Sequence, residues 1–242
     1  MPFPFYLVQM DRRAQQLRYH GEALASRLPS RNAASIRPAG PTDLEALGHI
    51  AYATGFFGSS AAVYFPSPPL FRDLWIKPYL EGIGACNFVA ELEGKIVGYV
   101  LGAPDVRAYR WYFLRSAGEV LGRLLTGQYP GFLHSACYLL RTARYGSPLA
   151  PLRAYPAHLH INLLPESRGL GLGQKLLAAH LDCLRARGIP GVQLSTTREN
   201  TAALGLYQKF GFTVYLEWKS PLWKPWLGRE ATHLVMVKDL RA

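Results

Sequence analysis

Three glycines, Gly169, Gly171 and Gly173, stand in the run Arg168-Gly169-Leu170-Gly171-Leu172-Gly173, between an apolar stretch ending at Leu164 and a helical pattern opening at Gln174. Without Cβ atoms, such residues let the backbone approach a ligand closely and take up positive φ. Where a turn of this kind opens a helix, unpaired N–H groups and the helix dipole face an anion, and a pyrophosphate is the natural guest. A Rossmann dinucleotide site wants a carboxylate at the end of the next strand, about 20 residues on. The strand here reads Val192-Gln193-Leu194-Ser195-Thr196-Thr197, with none. A Walker loop is excluded too, because Lys175 lacks the Ser or Thr that must follow it. On its own the glycine trio reads as a structural turn, so its meaning depends on what surrounds it.

A second set of polar residues precedes it. His158, His160 and Asn162 fall on one face of a strand by period-two alternation, and a bulge near the strand's end would switch that face. Cys86, Cys137 and Cys183 show no C-x-x-C spacing and no nearby histidine pair, so no metal site is expected. A reducing, cytoplasmic compartment is expected from the same cysteines.

The elements that must position these groups follow in order. Ser35–Pro38 reads as a short strand, with Thr42-Asp43 as a cap before Leu44, Leu47 and Ile50. Asn87–Leu92 and Ile96–Gly102 should pair as an antiparallel hairpin around Glu93-Gly94-Lys95. After the strand at His158–Leu164, Leu176, Leu177, Leu181 and Leu184 make a helical stripe ended by Gly188. Val192–Ser195 is then a strand, Asn200–Phe210 a helix stopped by Gly211, and Thr213–Trp218 and Thr232–Val237 are strands. This alternation implies an α/β protein with at least one parallel pair joined by a crossover.

Three regions lie outside that economy. In residues 11–28, Ala14, Leu17, Gly21, Leu24 and Leu28 predict an amphipathic helix, so residues 1–34 form a helical extension to the domain at 35–242. Residues 104–156 read as an insertion with small helices around 120–125 and 133–140, carrying seven arginines against Asp105 and Glu119. The stretch 218–228 is a loop by its prolines and holds Trp218, Trp223 and Trp226.

Composition bounds the function. The chain has 242 residues, 49% of them hydrophobic, which suits a folded core. Its net charge of +11 favours anionic partners. The arginines are scattered among aromatic and apolar residues, without the dense basic helix that a nucleic-acid binder shows, so nucleic acid is not an expected partner. The first ten residues lack a basic n-region and do not read as a signal peptide. No apolar run reaches the ~20 residues that span a bilayer.

Asn200, Ala203, Tyr207, Gly211 and Phe212 stand in Asn-x-x-Ala-x-x-x-Tyr-x-x-x-Gly-Phe. This helix, following Arg-x-x-Gly-x-Gly, resembles the two core motifs of the GNAT superfamily of N-acetyltransferases. Further likeness in Gly98–Ala103, His158–Pro165 and Gly188–Leu194 is to bacterial acetyltransferases related to the acetyltransferase-like domain of protein O-GlcNAc hydrolases. The resemblance implies a GNAT fold: a mixed, mostly antiparallel central sheet, a parallel pair splayed around acetyl-CoA, and helices on both faces. It also implies that backbone groups near Leu163 and Leu164 hold the pantetheine arm and acetyl carbonyl. Arg168, Gly169, Leu170, Gly171, Leu172, Gly173 and Gln174 would cradle the pyrophosphate, Asn200 would hydrogen-bond the pantetheine or its neighbouring backbone, and Tyr207 would protonate the departing thiolate. Tyr207 also reads as a core aromatic against Phe210 and Phe212. An Asp often stands in that group where this chain has Asn162, and an amide cannot act as a base.

The implied reaction is direct transfer of acetyl from acetyl-CoA to the amine of a small molecule or peptide, with His160 and Asn162 beside Tyr207 as the candidate catalytic groups and Glu91 or water as other routes for the proton. The acceptor should lie between Tyr52–Tyr64 and the loop after Thr213, whose aromatics suit a ring-bearing amine and equally suit burial of the insertion or a homodimer contact. Two other readings stand beside this one. The first is a cofactor-holding regulatory module without turnover; the second is association with membrane or nucleic acid through the arginine-rich insertion.

Overall fold

The computed structural model describes residues 34–82 and 84–241. The helix expected over 11–28 lies outside them. Ala34–Pro38 (β1), Phe88–Leu92 (β2), Lys95–Ala103 (β3) and Ala157–Leu163 (β4) pair successively antiparallel. Gly191–Thr197 (β5) lies beside β4, followed by Ala231–Asp239 (β7) and Thr213–Ser220 (β6), giving the order β1-β2-β3-β4-β5-β7-β6. β4 and β5 run parallel and share register only at Ala157↔Val192 and His158↔Gln193. Beyond His158 the two strands diverge, and that gap is the feature on which the site is built.

The crossover between them is the helix Leu172–Ala186 (α5). Its Leu172, Leu176, Leu177, Leu181 and Leu184 are at most 1% exposed and pack on Val192, Leu194, Leu234 and Met236. Each such leucine contributes about 1.5–3 kcal/mol of hydrophobic stabilisation. Thr201–Lys209 (α6) lies on the same core through Tyr207. The opposite face of the sheet carries Leu44–Thr54 (α1) and Pro68–Trp75 (α2), where Leu47, Ile50, Leu70 and Phe65 close a second core against Tyr99 and Leu101. Helices therefore cover both faces, as the motif resemblance implies.

Three features differ from expectation. Asp43, expected to cap α1, instead accepts the Gly40 N–H at 2.9 Å and both ends of the Arg37 guanidinium at 2.9 Å, stapling β1 to α1. This pairing holds the Asp43 carboxyl below the usual carboxylate range. The insertion is two substantial helices, Val106–Leu125 (α3) and Phe132–Tyr145 (α4). An aromatic-rich first half hid the start of α3, which Asp105 caps by accepting the Arg107 N–H at 2.8 Å. Two of the insertion's arginines are internal struts: Arg123 pairs with Asp73 at 2.8 Å, and Arg141 donates to the carbonyls of Leu222 (2.8 Å) and Pro221. The segment expected to be a loop at 218–228 continues β6 to Ser220 and then coils into helical turns at Pro221–Trp223 and Lys224–Leu227.

Cys86 and Cys183 form a disulfide that ties the approach to β2 onto α5. Their 97-residue separation conceals a pairing that packing of α5 on the sheet creates, and the bond runs against the reducing compartment expected from the sequence. Cys137 is free and exposed. Among the described residues no helix is long and apolar enough to cross a membrane and no His, Cys, Asp or Glu cluster could hold a metal.

Candidate active site

The hydrogen bond from Leu164 N–H to Val97 O, 2.9 Å, fixes the phase of the β3–β4 ladder. In an antiparallel pair, backbone groups point alternately toward and away from the partner. Asn162 and His160 therefore face β3 with their backbone groups, whereas Ile161 and Leu163 face the gap left by β5. The register is regular from Gly98↔Leu163 to Ala103↔His158, with no bulge. The expectation named backbone groups near Leu163 and Leu164. The groups available to a ligand here are the Ile161 backbone and the Leu163 N–H; the Leu163 carbonyl accepts from Arg168, and Leu164 has its N–H in the ladder and its carbonyl accepting from the Ser167 N–H and hydroxyl at 3.0 and 2.8 Å.

At the mouth of the gap lies the glycine turn. Gly169 and Gly171 have φ of 80° and 77°, the left-handed region that glycine enters without strain. Gly171 is the N-cap of α5 and has no capping side chain. Among the described residues no acceptor takes the N–H groups of residues 169–174; the first helical bond runs from Lys175 to Gly171 O at 3.1 Å. Unpaired donors at a helix start, on the positive end of its dipole, form an anion site. Gly173 is helical, and a Cβ there would sit 3.4 Å from Leu163 and 3.5 Å from Leu206, inside the cavity. Leu170 contributes no lining side chain and packs into the α5 core.

The Arg168 side chain does not point at this nest. It donates to Gly58 O at 2.9 Å and to Leu163 O at 3.2 and 3.3 Å, clamping the end of β4 to the loop after α1. A cation not foreseen in the sequence, Lys209 at the end of α6, donates to Gln174 Oε1 at 2.7 Å beside the turn.

Two cavities meet in the gap. One, of about 310 Å³, is lined by Ile161, Leu163, the turn from Arg168 to Gln174 apart from Leu170, Asn200 and Leu206. The other, of about 340 Å³, is lined by His160, Asn162, Tyr207, His233 and an aromatic wall. Thr54, Phe57, Gly58, Ile161, Asn162 and Asn200 belong to both and form the junction. Asn200 is also the N-cap of α6, accepting the Ala203 N–H at 3.4 Å.

Tyr207 is 6% exposed and packs on Phe212 at 5.7 Å. Burial pushes its phenol well above the ordinary range, so it stays protonated. Its hydroxyl has no hydrogen-bond partner among the described residues. The expected core contact with Phe212 and a free donor at the cavity thus coexist in one side chain.

His158, His160 and Asn162 do share a face, with the two imidazoles 5.5 Å apart. His160 is exposed and lines the cavity, and desolvation by the surrounding protein lowers its imidazole below the ordinary range, leaving it neutral at physiological pH. His158 is turned to Tyr79, whose hydroxyl lies 2.5 Å from Nε2, and burial pushes it to about 3. Asn162 is held at both ends of its amide: Oδ1 accepts from Tyr99 OH at 3.1 Å and Nδ2 donates to Thr54 Oγ1 at 2.6 Å. Thr54 spends its one proton on Ile50 O at 2.7 Å, so it can only accept from residue 162. An amide fits that position and an ionised carboxylate does not. Glu91 lies away from the cavities in an ion pair with Arg37 at 2.8 Å.

Comparison with known proteins points the same way. A family described as "Acetyltransferase (GNAT) family" matches residues 55–212, more than half of the chain. A mycothiol acetyltransferase of Thermobispora bispora is 51% identical over 49 residues, covering 20% of this chain and 17% of that protein. Among solved structures, SsHAT superposes with a TM-score of 0.58 at 26% identity over 86% of this chain and 98% of its own. The putative acetyltransferase YncA of Salmonella typhimurium, solved with acetyl-CoA, gives 0.53 at 19% identity over 86% and 94%, a likeness of fold.

Proposed function

This chain belongs to the GNAT acetyltransferase family, and from that premise we propose that it transfers the acetyl group of acetyl-CoA to the primary amine of a small molecule or peptide by direct attack. The observation that carries this reading is the set of unpaired N–H groups at residues 169–174, opening onto a strand gap that leads to the Tyr207 hydroxyl. The family uses acetyl-CoA, which supplies an activated thioester. The chain's own residues fit it. The turn and the α5 N-terminus take the pyrophosphate, assisted by Lys209. The Ile161 backbone, the Leu163 N–H and Asn200 bind the arm threaded through the gap.

Tyr207 holds the proton that the departing thiolate requires, since burial keeps its phenol neutral. His160 takes the proton released from the attacking nitrogen, being neutral and open to the cavity. Asn162 positions: it fixes α1 to β4 and thereby the junction of the two cavities. A module that only holds cofactor is disfavoured, because the free acid and the neutral imidazole line one cavity. Within the family, the likeness in Gly98–Ala103 and His158–Pro165 motivates a place beside the relatives of the O-GlcNAc hydrolase domain.

A free-thiol release assay across an amine panel, with calorimetric titration of acetyl-CoA, tests the reading. Acceptor-dependent thiol is the expected result. Binding without any acceptor-dependent thiol would overturn it.

A further inference from the structure

The second cavity has a chemical character that narrows its occupant. Among the described residues, not one Asp, Glu, Lys or Arg lines it. One wall is aromatic and comes from three separate parts of the chain: Phe57 and Tyr64 after α1, Tyr138 of the inserted α4, and Trp223 after β6. Trp223 meets Phe57 and Tyr64 edge to face, at 5.2 and 5.0 Å between ring centres, and lies tilted against Tyr138 at 5.2 Å. A second charge brought into such a space would lose its hydration and find no counter-ion.

The opposite end is polar and incomplete. Thr197 and His233 face each other across β5 and β7, are 6% and 4% exposed, and both line the cavity. Thr197 Oγ1 and His233 Nε2 are buried and have no partner among the described residues. Burial lowers the His233 imidazole and nearby Glu199 raises it, with burial the larger effect, so the ring is neutral. An orphaned buried polar group is destabilising until a partner satisfies it. A ligand hydroxyl, both donor and acceptor, satisfies either tautomer of His233 together with the threonine.

Resting on the acetyltransferase reading above, we propose that the acceptor is a small, uncharged aromatic amine of the aniline type, carrying a hydroxyl that binds Thr197 and His233. The ring lies along the aromatic wall with its nitrogen toward His160. The amide C–N bond forms as the thioester C–S bond breaks, the nitrogen's proton passes to the His160 imidazole, and the Tyr207 hydroxyl protonates the sulfur. The base matches this acceptor. A neutral imidazole is too weak a base to deprotonate an alkylammonium, whereas an aniline nitrogen arrives already unprotonated.

The test compares kcat/KM for 3- and 4-aminophenol, aniline, benzylamine, putrescine and an alanine-led peptide by thiol release, and calorimetric binding of the aminophenols to the protein with CoA. At least one aminophenol should exceed aniline by roughly tenfold or more, and both should exceed the alkylamines at pH 7. Thr197→Val should bring the aminophenol-to-aniline ratio near one, and Thr197→Ser should restore it. If the peptide or the alkylamines are fastest, or if neither aminophenol binds, the proposal falls while acetyl transfer stands. If an aminophenol binds with Thr197-dependent affinity and no amine releases thiol, transfer falls and the assignment of this pocket stands.

Discussion

Replacing Asn162 by Asp exchanges one atom pair and makes a demanding test of the site's construction. In the native protein Nδ2 donates to Thr54 Oγ1 at 2.6 Å, while Thr54 gives its only proton to Ile50 O. In Asn162→Asp an ionised carboxylate would face the Thr54 oxygen with no hydrogen between them. Loss of a buried hydrogen bond with an unpaired charge at a 4% exposed threonine should cost roughly 3 kcal/mol. A protonated carboxyl restores the donor, so folding should raise the pKa of the introduced carboxyl toward ~6 from the usual ~3.9. A group whose folded pKa is raised contributes stability below its unfolded pKa and loses it as pH rises through the folded value. Urea unfolding of wild type and variant, paired at each pH, should therefore show little difference near pH 4 and the full deficit by pH 8. Thr54→Val in the same background should shrink the deficit, because it removes the facing oxygen. A variant as stable as wild type at pH 8, or a deficit independent of pH, would refute the reasoning.

Other outcomes follow from single side chains. Tyr207→Phe should lower kcat roughly 100-fold with little change in acetyl-CoA Kd, and an unchanged kcat would remove Tyr207 as the acid. Gly173→Ala should raise stability by up to ~0.5 kcal/mol, since the position is helical, while weakening acetyl-CoA, since the new methyl enters the cavity between Leu163 and Leu206; equal affinity would contradict it. His180 is fully buried, gives its Nδ1 proton to Cys86 O at 2.7 Å, and is pushed down to about 4. Its depressed pKa makes its stability contribution complete above about 6.5 and lost progressively toward 4. His180→Leu should flatten the acid loss by about 3 kcal/mol over that window, read from urea midpoints, and an unaltered pH slope would contradict the assignment.

Much of the fold was legible because its signals are local. The β2–β3 hairpin, the leucine stripe of α5 and the stops at Gly188 and Gly211 each depend on spacing within one element. The glycine turn gained its meaning from Asn200 and Tyr207, which α6 brings to the same gap. What stayed hidden depends on contacts between distant segments. Thr54 and Asn162 are complementary only through their proton directions, and Thr197 and His233 meet only because β7 pairs with β5. The Cys86–Cys183 bond and the Arg141 strut are likewise products of packing, with no trace in spacing. Of the aromatics expected to line an acceptor or to bury the insertion, Trp223 packs on Tyr138 of α4, and both rings line the second cavity.

The central claim is that the turn from Gly169 to Gln174 holds the pyrophosphate of acetyl-CoA. Calorimetric titration of the protein with acetyl-CoA and with acetyl-pantetheine, which shares the thioester arm and lacks the pyrophosphate, tests it directly. Acetyl-CoA should bind at least tenfold more tightly, and Gly171→Ala, forced to strain at φ 77°, should erase most of that difference. Equal affinity for the two compounds, or no binding of acetyl-CoA at all, would contradict the account.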